Sequence, residues 1–196
     1  NSANLPLMMS GAMPSEINNL RIGEAIILGR NTLDRSPWPQ TRQDAVEVVA
    51  EPDPESVVRA ADIVTTLTPS EQPVVSGAWL RPGQHLSLVG ARPRHDQREG
   101  DALALHAGPL VVDHRASVEA HSGDYRLAHH PADGRLPRIR GEIGEVLRGA
   151  VPGRRTPEEI TVFDSVGAGA QDTAVCALLV QVAREKGVGV EVELDG

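Results

Sequence analysis

Stretches of this chain that could do chemistry share one design: a β-prone run that ends on hydroxyl or glycine residues, as in "DIVTTLTPS", "LSLVGARP" and "TVFDSVGAG". A parallel strand that stops on such residues leaves small hydroxyls and free backbone groups at its carboxyl end, where open α/β sheets hold ligands. Thr66 and Thr68 can therefore face the ribose or phosphate of a nucleotide; the alternative is that both only make turn hydrogen bonds. Val89 can pack on a flat ring or serve as a core valine. Ser165 offers a hydroxyl at a strand end, and Val166 with Gly167 permits close approach of the backbone to a substrate or cofactor. The competing reading of that corner is a strand-to-helix turn that needs only a small residue.

Other chemistries find little support. The single cysteine, Cys176, allows neither a disulfide framework nor a Cys-based metal site. His129 and His130 precede a proline, so the i, i+4 spacing of a helical zinc site is missing and no metal is expected. No Ser, His and acid arrangement stands out. A net charge of -8 and a pI near 5.3 argue against nucleic-acid and anionic-membrane surfaces, since phosphate binding needs clustered Lys and Arg. No window reaches the roughly 18 apolar residues of a membrane span. Asn1 to Ser10 lacks the basic start and long apolar core of a signal peptide, and the single cysteine makes the reducing cytoplasm the expected compartment.

The elements that must position these residues follow from the pattern. With 196 residues, 40% of them apolar but only 2% aromatic, the core has to be built from Val, Leu, Ile and Ala. That suits parallel strands flanked by helices. Leu20 to Leu28 reads as a half-buried strand, and Ala45 to Ala50 as a short β-prone run. In "EPDPESVVRAA", Asp53 is an N-cap and Pro54 opens a short helix. Further strands are expected at Ile63 to Thr66, Leu86 to Val89, Leu110 to Asp113 and Ile160 to Val166. Gly123 to Arg140, rich in His, Pro, Gly and Arg, reads as a long surface excursion. A helix from about Ala170 to Lys186 is stopped by Gly187. Strand and helix signals alternate, so the fold class is α/β.

The ordered segments "AADIVTTLTPSEQPVV", "LRPGQHLSLVGARP", "VVDHRASVEAHSGD", "GEIGEVLRGAVPGR" and "EITVFDSVGAGAQDTAVCALLV" together resemble the ornithine cyclodeaminase and mu-crystallin family, over roughly residues 46–196. The resemblance implies a partial Rossmann-like, NAD(P)-binding domain, with NAD or NADP as cofactor and an amino acid or its imine as substrate. It also implies that Thr66, Thr68, Val89 and Ser165 face the cofactor and that Val166 and Gly167 face the substrate. Two departures matter. Where cyclodeaminases carry a catalytic acid after the "VG" turn this chain has Arg92, which favours redox chemistry over ornithine cyclisation and leaves Asp96 as the stand-in for proton transfer. No G-x-G-x-x-G follows a strand, so the usual pyrophosphate turn is not seen.

Residues 1–45, with "NSANLPLMMSGAMPSEINNLRIGEAIILGR", resemble the barrel end of the ornithine and alanine racemase family, which implies a pyridoxal-phosphate site built on Ser2, Arg21 and Gly23. That cofactor is disfavoured, because its chemistry needs a Schiff-base lysine and the chain's only lysine, Lys186, lies far along the sequence. The sequence thus supports an NAD(P)-dependent protein acting by hydride transfer, with a racemase remnant or an inactive fusion fragment as alternatives. Both resembled families imply a homodimer.

Overall fold

The computed structural model describes the backbone of residues 19–22, 25–28 and 48–50, and residues 53–90, 97–190 and 192. Ser2, Gly23, Arg92 and Asp96 lie outside the described residues, as does the side chain of Arg21. The chain divides into two compact units, Asn1–Val166 and Gly167–Gly196.

An eight-stranded sheet organises the first unit, in the order β3-β1-β2-β4-β5-β8-β6-β7. Its strands are β1 (Asn19–Ile22), β2 (Ala25–Leu28), β3 (Val48–Ala50), β4 (Ile63–Thr66), β5 (His85–Leu88), β6 (Leu110–Val112), β7 (Ile139–Glu142) and β8 (Thr161–Asp164). From β2 to β7 every pairing is parallel, whereas β1 runs antiparallel to both β2 and β3. The fold class is the α/β class read from the sequence. One expectation fails: the run Leu20 to Leu28 is not one strand but a hairpin in which Ile22 pairs with Ala25. A glycine at the first position of a two-residue connection is a hairpin signal, and the apolar residues on both sides masked it.

Short helices connect the strands. They are α1 (Pro54–Ala60), α2 (Ala102–His106), α3 (Arg115–His121), α4 (Gly123–Leu127) and α5 (Ile143–Leu147). Helix α1 starts as its sequence demands: the Asp53 carboxylate accepts the N–H of Ser56 at 3.1 Å, and Pro54 takes the first turn. Strands β4, β5 and β8 alternate half-buried and buried residues, so a single face is sealed. Register aligns that face in rows. Val64, Leu86, Val162 and Leu110 form one row and Thr66, Leu88, Asp164 and Val112 the next. The first row is wholly apolar and packs with Val57, Val58, Leu105 and Val118 of the helices; each such buried side chain contributes about 1.5–3 kcal/mol. The second row, nearer the carboxyl ends, carries two polar residues, and this is where the core stops being dry.

Gly123 to Arg140 is not a surface excursion throughout. Its first residues form α4, with Gly123 and Asp124 buried, and its end enters β7. The Asp124 carboxylate is buried because it holds backbone N–H groups of another segment, a use that composition does not reveal.

The second unit contains α6 (Gly169–Lys186). Gly187 ends it in the left-handed conformation at φ 62°, and the Val188 N–H returns to the Ala183 carbonyl at 3.0 Å. That is a glycine C-cap of the expected kind. Val175, Leu178, Leu179 and Val180 on this helix are exposed. No helix among the described residues is long and apolar enough to cross a membrane.

Candidate functional site

The carboxyl ends of β4, β5, β8 and β6 lie side by side, and each is followed by residues that leave the sheet ladder. N–H groups beyond a strand end need new partners. Beyond β8 the Ser165 N–H returns to the Leu88 carbonyl at 3.0 Å, whereas beyond β4 and β5 several N–H groups share one side-chain acceptor, Glu99, which is fully buried. Its Oε2 accepts the Thr66 hydroxyl at 2.7 Å, the Gly90 N–H at 2.7 Å and the Val89 N–H at 3.1 Å. Its Oε1 accepts the Thr68 N–H. A Cβ at Gly90 would collide with the backbone of Thr68 and with this carboxylate, so glycine is required there for the two chain segments to come together.

Glu99 is itself held. Asp124 Oδ1 accepts the Glu99 N–H at 2.7 Å and the Gly100 N–H at 2.8 Å, while the Glu99 carbonyl accepts the N–H groups of Val74 and Val75. Two further carboxylates close the row. Ser165 Oγ donates to Asp113 Oδ2 at 2.7 Å, and Ser122 Oγ donates to Asp164 Oδ2 at 2.7 Å. Asp124 Oδ2 and Asp164 Oδ1 are buried without a hydrogen-bond partner among the described residues.

The electrostatics follow from that crowding. Burial pushes the Asp164 carboxyl up to about 7, with the charges of Asp113 and Glu99 adding to it against the Ser122 hydrogen bond. Burial and then the Asp164 charge hold Asp124 well above the usual carboxylate range. Burial also raises Glu99, but its hydrogen bonds to Thr66, Thr68 and Gly90 oppose this. We assign Glu99 as the ionised member, because every group that faces its oxygens is a donor. Asp124 and Asp164, both raised by burial, are the members that take up protons more readily. No three-residue set of His, Cys, Asp or Glu among the described residues has the geometry to hold a metal ion.

The residues singled out in the sequence fall into two layers. Thr66 is fully buried with its hydroxyl on Glu99, and Ser165 is 6% exposed with its hydroxyl on Asp113. Thr68, Val89 and Val166 lie at the ends of the same strands, and the latter two are half-buried. Gly167 opens the second unit at φ 83°, with no atom within 4 Å of where a Cβ would stand. Sequence reasoning missed Glu99, Asp113, Asp124 and Asp164. The available signal was the pairing of acids with glycines in "REGD" and "SGD", since a glycine beside a buried acid marks close backbone approach. At the amino ends of β6 and β7 lies a separate cleft of about 520 Å³, lined by His106, Pro109, Arg138, Arg140 and Arg155 among others. Arg140 is spent there on Glu159 and the Gly153 carbonyl, each at 2.9 Å. The cleft holds none of the strand-end residues.

Known proteins bear on this edge. Residues 19–187 match the model of the ornithine cyclodeaminase/mu-crystallin family, so the match includes residues 19–45, which the sequence resemblance gave to a racemase. A Delta(1)-pyrroline-2-carboxylate reductase of Paracoccus denitrificans is 30% identical over 187 residues, covering 90% of this chain and 58% of the relative. The solved Thermococcus litoralis Delta(1)-pyrroline-2-carboxylate reductase in complex with NADH and L-proline is 33% identical with a TM-score of 0.64, over 70% of this chain and 42% of that one. An archaeal alanine dehydrogenase dimer with bound NAD is 33% identical with a TM-score of 0.61, over 73% and 44%. The chain therefore spans about half the length of the proteins it matches.

Proposed function

The chain belongs to the ornithine cyclodeaminase/mu-crystallin family, and from that premise we propose that it is an NAD(P)-dependent oxidoreductase acting on an amino acid or its imine. The observation that carries this is the shared carboxyl edge of β4, β5 and β8, where small residues and a required glycine end adjacent parallel strands. Support also comes from the similar proteins that hold NADH with L-proline, or NAD.

The residues fit a nicotinamide at that edge. Val89 and Val166, half-buried and apolar, would pack on its ring. Thr68, whose hydroxyl also accepts the Ser70 N–H at 3.4 Å, would line the ribose, and Gly167 would leave room for substrate. Thr66 and Ser165 would act from beneath, their hydroxyls fastened to Glu99 and Asp113. When bound, the dinucleotide supplies or takes the hydride. Asp96 is our candidate for moving a proton on the substrate, and Arg92, in the place of the cyclodeaminase acid, sets ornithine cyclisation aside. We further propose a homodimer, as in the similar alanine dehydrogenase. The pyridoxal-phosphate reading is set aside, since the similar structures hold NADH or NAD and the chain's only lysine, Lys186, is remote in sequence from Ser2, Arg21 and Gly23.

The test is NADH and NADPH oxidation followed with cyclic imine carboxylates, with 2-oxo acids plus ammonia, and with ornithine. Turnover on the imines or the oxo acids and none on ornithine is expected. Absence of turnover on all of them would refute the assignment.

A further inference from the structure

We infer that Glu99 is a positioning residue for the cofactor edge, its buried carboxylate fixing the backbone of residues 66–68 and 88–90 in a single arrangement. This deepens the dinucleotide reading and rests on it. Where parallel strands run out the ladder thins, the Val89 N–H still reaching the Thr66 carbonyl at 3.1 Å, and a mobile edge would lose affinity to the cost of ordering it. Glu99 removes that freedom. One side chain collects the Thr66 hydroxyl and the N–H groups of Thr68, Val89 and Gly90, joining the ends of β4 and β5 beyond their last ladder pair, Thr66 with Leu88.

Glu99 is in turn held through its own backbone. Its N–H is held by Asp124, its carbonyl by Val74 and Val75, and the adjoining Gly100 bridges to Val75. Gly123 lets α4 approach this segment, because a Cβ there would collide with the Gln97 carbonyl. The chain of support therefore runs from α4 through Asp124 to Glu99 and from there to the strand ends.

Only an ionised carboxylate does this work. Its oxygens receive four donors, and an amide would set its NH₂ against some of them. The titratable groups around it are Asp124 from α4 and Asp164 from β8, with Asp113 behind Asp164. Among the described residues no cation forms an ion pair with Glu99, Asp124 or Asp164. The negative charge on Glu99 is held by the three N–H groups and the Thr66 hydroxyl that face its oxygens.

The experiment compares NADH and NADPH binding by the full chain, Glu99→Gln and the control Gln84→Leu. Gln84 is also fully buried, and its amide holds the Val58 and Ala61 carbonyls at the opposite, amino end of β5. Affinity is read by fluorescence titration and fold by thermal melt. Glu99→Gln should weaken binding by about 10-fold or more and move the emission of bound NADH toward that of the free dinucleotide. Gln84→Leu should lower the melt while keeping affinity within about twofold, as expected of a distant site. Glu99→Asp, which keeps the charge but withdraws it by one methylene, carries the same expectation as Glu99→Gln and serves if the amide variant does not fold. Unchanged affinity in a folded Glu99 variant would overturn the inference, as would an equal loss in Gln84→Leu. If neither Glu99 variant melts cooperatively, Glu99 is a folding residue and the positioning role falls. A wild-type chain that binds neither dinucleotide overturns instead the reading on which the inference rests.

Discussion

The hydroxyl of Ser165 donates to Asp113 at 2.7 Å, fastening the end of β8 to the end of β6 beneath the edge of the sheet. On the proposed dinucleotide reading, a hydroxyl in that role would support the site from beneath. Ser165→Ala should therefore cost about 1–2 kcal/mol in urea unfolding, the effect of removing one partner of a buried acceptor, and should leave NADH affinity within about threefold. A large loss of affinity at unchanged stability would make Ser165 a contact residue.

Glycine at position 90 is dictated by the Glu99 carboxylate and the Thr68 backbone, which occupy the space of a side chain. Gly90→Ala should destabilise the chain by at least about 1–3 kcal/mol, the usual cost of overpacking a fixed interior. Equilibrium unfolding of the two proteins side by side reads this directly, and equal midpoints would mean that the strand ends yield easily.

The pH dependence has a definite sign. Asp164 titrates at about 7 in the folded chain and at about 3.9 when unfolded. Between those values the native state binds more protons than the unfolded one, so stability falls as pH rises from about 4 to about 7 and is flat above that for this group. Asp124, also raised, adds a slope of the same sign. Asp164→Asn should flatten the profile and melt above the wild type at pH 8, the gap closing towards pH 5. Parallel profiles would show that the charge on Asp164 is compensated.

Asp101 ties two elements together away from the edge. Its carboxylate caps α2 through the Ala104 N–H at 2.8 Å and also receives Gly77 N–H at 2.9 Å and Ser76 Oγ at 2.7 Å. Asp101→Ala should cost about 2 kcal/mol, the upper range for a lost cap, without altering dinucleotide affinity. A cost near zero would show that solvent replaces all three bonds.

Much of the scaffold was legible because its signals are local. Asp53 and Pro54 announce α1, and β-branched runs that stop on "TPS", "VG" and "SVG" mark the strand ends that form the edge. The hairpin of β1 and β2 was hidden because apolar residues flank the two-residue connection on both sides. The carboxylate row was hidden for a stronger reason. In "RHDQREGD" an acid reads as solvated, since burying a charge is costly unless partners meet it. Glu99 is buried only because the ends of β4 and β5, remote from one another in sequence, deliver their N–H groups to one point. The partners of Thr66 and Ser165 were hidden for the same cause: their hydroxyls sit at the predicted strand ends, and the acids that accept them come from other segments.

The central claim is that the carboxyl edge holds a dinucleotide, and a thermal melt of the full chain with and without NADH and NADPH tests it most directly. A ligand that binds only the folded state stabilises it by about 2.7 kcal/mol at a free concentration 100 times its Kd. One cofactor should therefore raise a cooperative transition in a concentration-dependent way. Melts that superimpose at every concentration of both cofactors would contradict it.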